Sequence, residues 1–316
     1  MSIRIVPESE RSPGVDHIAA LRLPQAPLPY APRAERLRQL TEGHTMADYL
    51  LWAADLVTAQ QTVAEAMPLP EAEAHQLAHA LQQHAHAPLH TGRWQRSAHW
   101  LQLLDGLLAQ WDQAPSMRSA PVQKTLAALR HADSAQRNRW ADALLAELCG
   151  DALEDSAELP DAGVAQFLHS ALSLYWRQLA SQLPGSGLAE LGAHRQDCPV
   201  CGQAPAGSLV LVGAQAGVRY LQCSLCESQW HVVRTTCTSC NATGQLDYWC
   251  LEDEKAPIKA ESCGDCHSYL KAFYQQADHQ LELVADDLAS LALDAEMEAK
   301  ELARSGINPL MLPPLV

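Results

Sequence analysis

Apolar residues recur at intervals of three and four along residues 46–183, the spacing that turns one side of an α-helix toward a core. The pattern divides into predicted helices over 46–66, 70–87, 94–112, 121–131, 134–148 and 161–183. The third is the clearest, with Trp94, Ala98, Leu101, Leu104, Leu108 and Trp111 on one face. The last carries Val164, Leu168, Ala171, Leu172, Tyr175 and Leu179. Pro70 opens the second helix and puts Glu71 and Glu73 in its first turn, where the helix dipole favours carboxylates. Ser134 reads as a cap and Gly150 as a stop for the fifth. Six or so helices joined by short loops predict an orthogonal bundle.

On either side of this region the pattern changes. Pro7, Pro13, Pro24, Pro27, Pro29 and Pro32 exclude a regular helix over 1–32 and predict an extended arm wrapped on a later element. Pro184-Gly-Ser-Gly187 marks a boundary. Beyond it, 209–212 and 218–222 flank the breaker run 213–217 as a hairpin, with a third strand over 229–235. Residues 245–249 and 258–261 repeat the arrangement around an acidic loop, Glu252 to Lys255, closed by Pro257. Residues 267–276 and 279–303 read as helical, the second docking back on the bundle through Leu281, Val284, Leu288, Leu291 and Leu293. The expected fold is therefore α+β. A Pro-rich arm and all-α helical bundle (1–187) precede two tandem rubredoxin-like or zinc-ribbon modules (188–275), and a C-terminal helix and tail follow (276–316).

Cysteine placement changes the picture most. Eight of the ten cysteines form four Cys-x-x-Cys pairs: Cys198/Cys201, Cys223/Cys226, Cys237/Cys240 and Cys263/Cys266, separated by 21, 10 and 22 residues. A Cys-x-x-Cys turn sets two sulfurs about a tetrahedral edge apart, and a second turn brought up by a hairpin completes four ligands. The spacing predicts sequential sites, the first four cysteines on one metal and the last four on another. The ten-residue linker also permits a cross-braced pairing. Gly202 and Asn241, each following a pair, tolerate the left-handed backbone that aims amides at sulfur. Disulfides would need an oxidising compartment, and Met1–Glu10 lacks the apolar core of a secretion signal. A thioredoxin-type pair would sit where a strand runs into a helix, whereas turn and strand patterns follow Cys201. Tetrahedral thiolate sites accept iron or zinc, and four thiolates leave no open position on the metal. Whether such metals act or only hold the fold stays open.

The 316 residues are 47% hydrophobic, with no apolar run of the roughly 18 residues that a membrane span needs, so a cytoplasmic protein without membrane insertion is expected. A net charge of −15, with six Lys and Arg against eight Asp and Glu over 194–275, argues against nucleic acid as a partner. His75, His79, His84, His86 and His90 crowd one stretch, but Gln and Ala neighbours favour a solvated helix face over a metal site. Trp230 reads as core, Cys149 and Cys250 as buried apolar residues. No nucleophile motif, phosphate loop or carboxylate pair suggests an enzyme.

Five segments together carry a resemblance. They are Cys198-Pro-Val-Cys-Gly202, Arg219-Tyr-Leu-Gln-Cys-Ser-Leu-Cys-Glu-Ser-Gln-Trp-His231, Cys237-Thr-Ser-Cys240, Ala260-Glu-Ser-Cys-Gly-Asp-Cys-His-Ser-Tyr-Leu-Lys271 and Ala285-Asp-Asp-Leu-Ala-Ser-Leu-Ala-Leu-Asp294. Over 194–294 the chain resembles the FdhE family of formate dehydrogenase accessory proteins; upstream only the all-helical plan matches. The resemblance implies a cytoplasmic maturation factor that binds the molybdenum-containing catalytic subunit of formate dehydrogenase before its twin-arginine export. It also implies two iron ions held by the eight cysteines, with zinc as the alternative. A rubredoxin-like electron-transfer protein, or a protein-interaction module with purely structural metals, are the other readings.

Overall fold

A computed structural model describes residues 18–83, 86–153, 157–184, 195–212, 215–251 and 253–315. The helical region runs α1 (Ala31–Gln39), α2 (Ala47–Ala66), α3 (Glu71–Gln83), α4 (His99–Trp111), α5 (Ala120–His131), α6 (Ser134–Cys149) and α7 (Ala162–Ser181). Its centre is α7, which packs against α2, α3, α4, α5 and α6 and is buried on every side from Val164 to Ala180. A helix buried all round is normally apolar. Here the polar side chains are spent on neighbours. Tyr175 donates to Glu73, Gln178 to the Met67 carbonyl, Trp176 to the Leu89 carbonyl and Gln166 to the Pro309 carbonyl, at 2.6–2.8 Å. Around this axis α4 presents Trp100, Leu103, Leu104, Leu107, Leu108 and Trp111. That stripe is rotated from the expected one, because Trp94 and Ala98 precede the helix and do not set its phase.

The strands are β1 (Leu21–Arg22), β2 (Pro205–Val210), β3 (Arg219–Cys223), β4 (Gln229–Val232), β5 (Leu246–Trp249), β6 (Ile258–Cys263), β7 (Ser268–Tyr274) and β8 (Ala303–Arg304). They form one sheet ordered β1-β4-β3-β2-β7-β6-β5, with β8 on β7. The two expected ribbon modules are present, β2 to β4 and β5 to β7. They are fused by the parallel pairing of β2 with β7, in register at Ser208 and Ala272. Pro7 and Pro13 lie outside the described residues; from residue 18 on, the proline-rich arm does wrap on a later element. Its β1 pairs with β4, Leu21 opposite Trp230, and Tyr220 donates to the Ala19 carbonyl at 2.7 Å. Helix α1 starts inside the proline run, with Pro32 in the first turn where a missing N–H costs nothing. The boundary residues Gly185 to Gly187 lie outside the described residues, as do Gly213 of the breaker run and Glu252 of the acidic loop.

Three expectations are corrected. Residues 268–274 are strand β7, not helix: a central strand buried on both faces loses its alternation, and Tyr269, Leu270 and Phe273 then mimic helical spacing. The C-terminal helix is two short ones, α8 (Leu283–Ala289) and α9 (Leu291–Glu298), broken at Ser290 and followed by β8; α8 packs on α1 and β2. Buried Lys271 of β7 explains the break. It reaches Asp287 at 2.9 Å and Asp294 at 2.6 Å while Arg304 holds the same two carboxylates, so both helices and β8 must face one point. Burial alone would raise the Asp287 carboxyl, but the charges of Lys271 and Arg304 hold it below the usual range. Finally, Asp133 rather than Ser134 caps α6, accepting from the Gln136 amide at 2.7 Å. Among the described residues, no helix is long and apolar enough to cross a membrane.

One core residue makes the helical region acid-sensitive. His169 of α7 is 1% exposed, its Nδ1 has no partner among the described residues, and burial holds its imidazole down at about 4. An unfolded histidine titrates near 6.5. The depressed folded value means that the contribution of the neutral ring is complete above about pH 6.5 and is lost as pH falls toward 4, to a total of about 3 kcal/mol. Urea unfolding at pH 7 and pH 4.5 is expected to show a smaller acid loss in His169→Leu than in the parent chain.

Candidate metal centres

All four Cys-x-x-Cys pairs fold into the same turn. The residue after each pair, Gly202, Glu227, Asn241 or His267, has a φ of +82°, +58°, +62° or +53°. In three of the turns the amide two residues after the first cysteine points at its sulfur. Val200 donates to Cys198, Leu225 to Cys223 and Ser239 to Cys237, at 3.3–3.4 Å. Three of the turns are also closed by their own backbone, Gly202 donating to the Cys198 carbonyl, Asn241 to that of Cys237 and His267 to that of Cys263, while in the second the Cys223 amide donates to the Ser228 carbonyl.

The turns meet in sequence. In the first cluster Cys198 and Cys226 sulfurs lie 3.6 Å apart and Cys201 and Cys223 sulfurs 3.4 Å apart; in the second, Cys237–Cys266 and Cys240–Cys263 are each 3.7 Å. All sulfurs of a cluster fall within 4.8 Å of one another. Four sulfurs at about 2.3 Å from one ion would be about 3.8 Å apart, so both clusters fit a tetrahedral metal and the cross-braced pairing is excluded. The electrostatics fit as well. Burial pushes the Cys201 and Cys223 thiols well above their ordinary range. Burial would also raise Cys226, yet hydrogen bonding with Cys198, Cys201, Cys223 and Ser228 holds it well below. At Cys266, burial is outweighed by bonds from Ser268, which keep the thiol at about 7. Thiols sharing protons in this way are ready to exchange them for a divalent cation.

Around the first cluster the helical region closes in. Residues 87–91 run alongside the first turn: Ala87 donates to Pro199, Leu89 to Val200 and Thr91 to Cys201, at 2.9–3.1 Å. Gln203 reaches Thr91, the Leu145 carbonyl and the Cys149 sulfur, which in turn lies 3.6 Å from the Gly202 carbonyl. Cys149 therefore braces a turn instead of filling apolar space. His90 packs so closely on Gly202 that a β-carbon there would fall 2.8 Å from its ring. On the other side, the Glu227 carboxylate is gripped by Arg33 through two bonds, 2.7 and 3.0 Å, and by Arg177 at 3.3 Å, all nearly solvent-free. Ser173 donates to the Leu225 carbonyl. None of these supporting residues has a sequence signal beyond its type, since each meets the cluster from a distant segment.

The other singled-out residues fall elsewhere. His75 and His79 are exposed on α3, and His84 lies outside the described residues. Trp230 is core, donating to the Arg195 carbonyl, and Cys250 donates to the Asp253 carbonyl at the end of β5.

Comparison with known proteins gives one consistent match. Three family models cover consecutive stretches: "FdhE, N-terminal" over residues 18–193, "FdhE, central domain" over 197–234 and "FdhE, C-terminal domain" over 235–311. The chain is 45% identical over 318 residues to "Protein FdhE homolog" of Edwardsiella ictaluri and 43% identical over 317 residues to "Protein FdhE" of Escherichia coli, covering 99% of both chains in each case. Among solved structures it is similar to the crystal structure of the FdhE protein from Pseudomonas aeruginosa. That match has a TM-score of 0.78 and 37% identity, and spans 93% of this chain and 98% of that one.

The Glu227 clamp generates a direct expectation. Neutralising its carboxylate leaves Arg177, and half of Arg33, without a counter-charge at side chains only 6% exposed. Glu227→Gln should lower unfolding stability by about 3–5 kcal/mol, measured by denaturant titration. A loss below about 1 kcal/mol would mean that the clamp is only a surface-like ion pair.

Proposed function

The chain belongs to the FdhE family, and we propose on that ground that it is an accessory factor in the formation of formate dehydrogenase. In this reading it recognises the catalytic subunit of the enzyme in the cytoplasm before export. The eight clustered cysteines, Cys198, Cys201, Cys223, Cys226, Cys237, Cys240, Cys263 and Cys266, hold two metal ions, iron in preference and zinc as the alternative. The observation that carries the reading is the pair of four-sulfur clusters built into one sheet, the first wedged against the helical region. Four thiolates fill a tetrahedral ion, so such a metal would supply shape and charge rather than a substrate position. That favours a binding factor over an enzyme. The amide-to-sulfur hydrogen bonds also suit an Fe(Cys)₄ centre that cycles between oxidation states, which keeps electron transfer as the second reading.

The surface suited to a partner is the junction of helical region and sheet. There a cleft of about 1180 Å³ opens between the arm, Arg33 and Arg177 of the helices, and Gln222, Glu227 and Gln229 of the first module. The acidic character of the chain as a whole favours a partner presenting basic or amide groups, not nucleic acid, and capture should weaken with salt.

Replacing Cys198 and Cys201 together by Ser is expected to abolish capture of the formate dehydrogenase catalytic subunit in a pull-down, whereas Cys250→Ser leaves it intact. Undiminished capture by the double variant would mean that the clusters serve another purpose.

A further inference from the structure

The two clusters share a turn geometry but not an environment. The first belongs to the main core. Its four cysteines are at most 1% exposed, and every residue from Val218 to Ser228 is buried. The helical region contacts it through 87–91, Ser173, Arg33 and Arg177. The second lies on the far limb of the sheet, where β6, β7 and α9 form a separate small core of Ala260, Tyr269, Leu293 and Met297. There Cys240 is exposed and Cys266 half-buried, and between Val233 and Tyr248 only Thr236 and Cys237 are buried.

The two halves of the second cluster are held unequally. Cys263 and Cys266 sit in the β6–β7 turn, secured by both strands and by the bond from the Ala303 amide to the His267 carbonyl at 2.8 Å. Cys237 and Cys240 sit on an exposed connection whose backbone bonds are internal to the cysteine turn until Gln245, whose carbonyl accepts from the Gly264 amide at 2.8 Å. That turn receives a side-chain bond from the exposed linker residue Gln196. A metal would thus be the main tie between this turn and the sheet. It would also be open to attack by an incoming ligand at Cys240.

We propose that the two centres do different work: the first a permanent clasp between helices and sheet, the second an exchangeable metal site. Its occupancy decides whether the 237–244 segment is docked against the β6–β7 turn. The β5 edge carries the exposed apolar side chains Tyr248 and Leu251, and Val233 beyond β4 lies beside Cys237 and Asn241, so filling or emptying the site reshapes an apolar surface. On release the metal passes to the competing ligand and the four thiolates take up protons from solvent. The proposal rests on the metal-holding reading of the eight cysteines and not on any partner. A chain that binds no metal would fail at loading, a result separate from those below.

The test uses the full chain loaded with zinc and mixed with excess 4-(2-pyridylazo)resorcinol, with release followed by absorbance. Two phases of one equivalent each are expected, the first faster by more than about tenfold because local opening is far easier than opening of the core. Alkylation with N-ethylmaleimide at the end of the fast phase should label Cys237, Cys240, Cys263 and Cys266 and spare Cys198, Cys201, Cys223 and Cys226. Cys240→Ser should remove the fast phase and leave the slow one. A single phase carrying both ions, no release from either cluster, or labelling of the first four cysteines ahead of the last four would overturn the proposal.

Discussion

Four sulfurs crowded into a water-free space cannot all be ionised without a compensating cation, and the first cluster imposes that constraint where helices meet sheet. The fold answers it from both directions. Residues 87–91 fix the backbone of one turn, and the charge after the other turn, on Glu227, is neutralised by Arg33 of α1 and Arg177 of α7. Because α7 is also the axis of the helical region, the cluster is coupled through one buried ion pair to every helix packed on that axis. Removing the ion would return four thiols to proton sharing in a space sized for a metal, and the turns would lose the common centre that orients them.

Much of this was legible because it is local. A Cys-x-x-Cys turn is specified within five residues, so the spacing alone announced two four-sulfur sites, and Gly202 and Asn241 were recognisable as residues at ease in a left-handed step. Glu227 and His267 occupy the same step with no such signal. Their conformation follows from the turn and not from residue type. The helices were legible through their periodicity, and Gly150 ends α6 in the expected way. Strand β7 was not, because burial on both faces erases alternation. Nor were the partners of Glu227: Arg33 is 194 residues away, and nothing in a lone Arg33 or Arg177 says which carboxylate it will meet. The fusion of the two ribbons into one sheet depends on the parallel β2–β7 pair, a non-local contact that two similar cysteine units conceal.

The same constraint explains why the two halves of the cysteine-rich region differ. The central segment places its cluster inside the shared core, while the C-terminal segment builds a second cluster on the limb that carries its own small core and leaves Cys240 in solvent. One repeated motif thus yields a joint and an accessible site, the difference arising from what packs around each turn. For an accessory factor this division has a use: a rigid junction preserves the cleft at Arg33 and Arg177, and a separate limb is free to change.

The claim that everything else depends on is that the first cluster joins the helical region to the sheet. Hydrogen exchange at the amides of Ala87, Leu89 and Thr91, which donate to Pro199, Val200 and Cys201, reads that joint directly. Compared between the metal-loaded chain and its Cys198→Ser/Cys201→Ser variant, these three amides should lose protection together while those at the centre of α7 retain theirs. Unchanged protection at all three would show that the helical region holds the 87–91 segment by itself and that the cluster is not the joint.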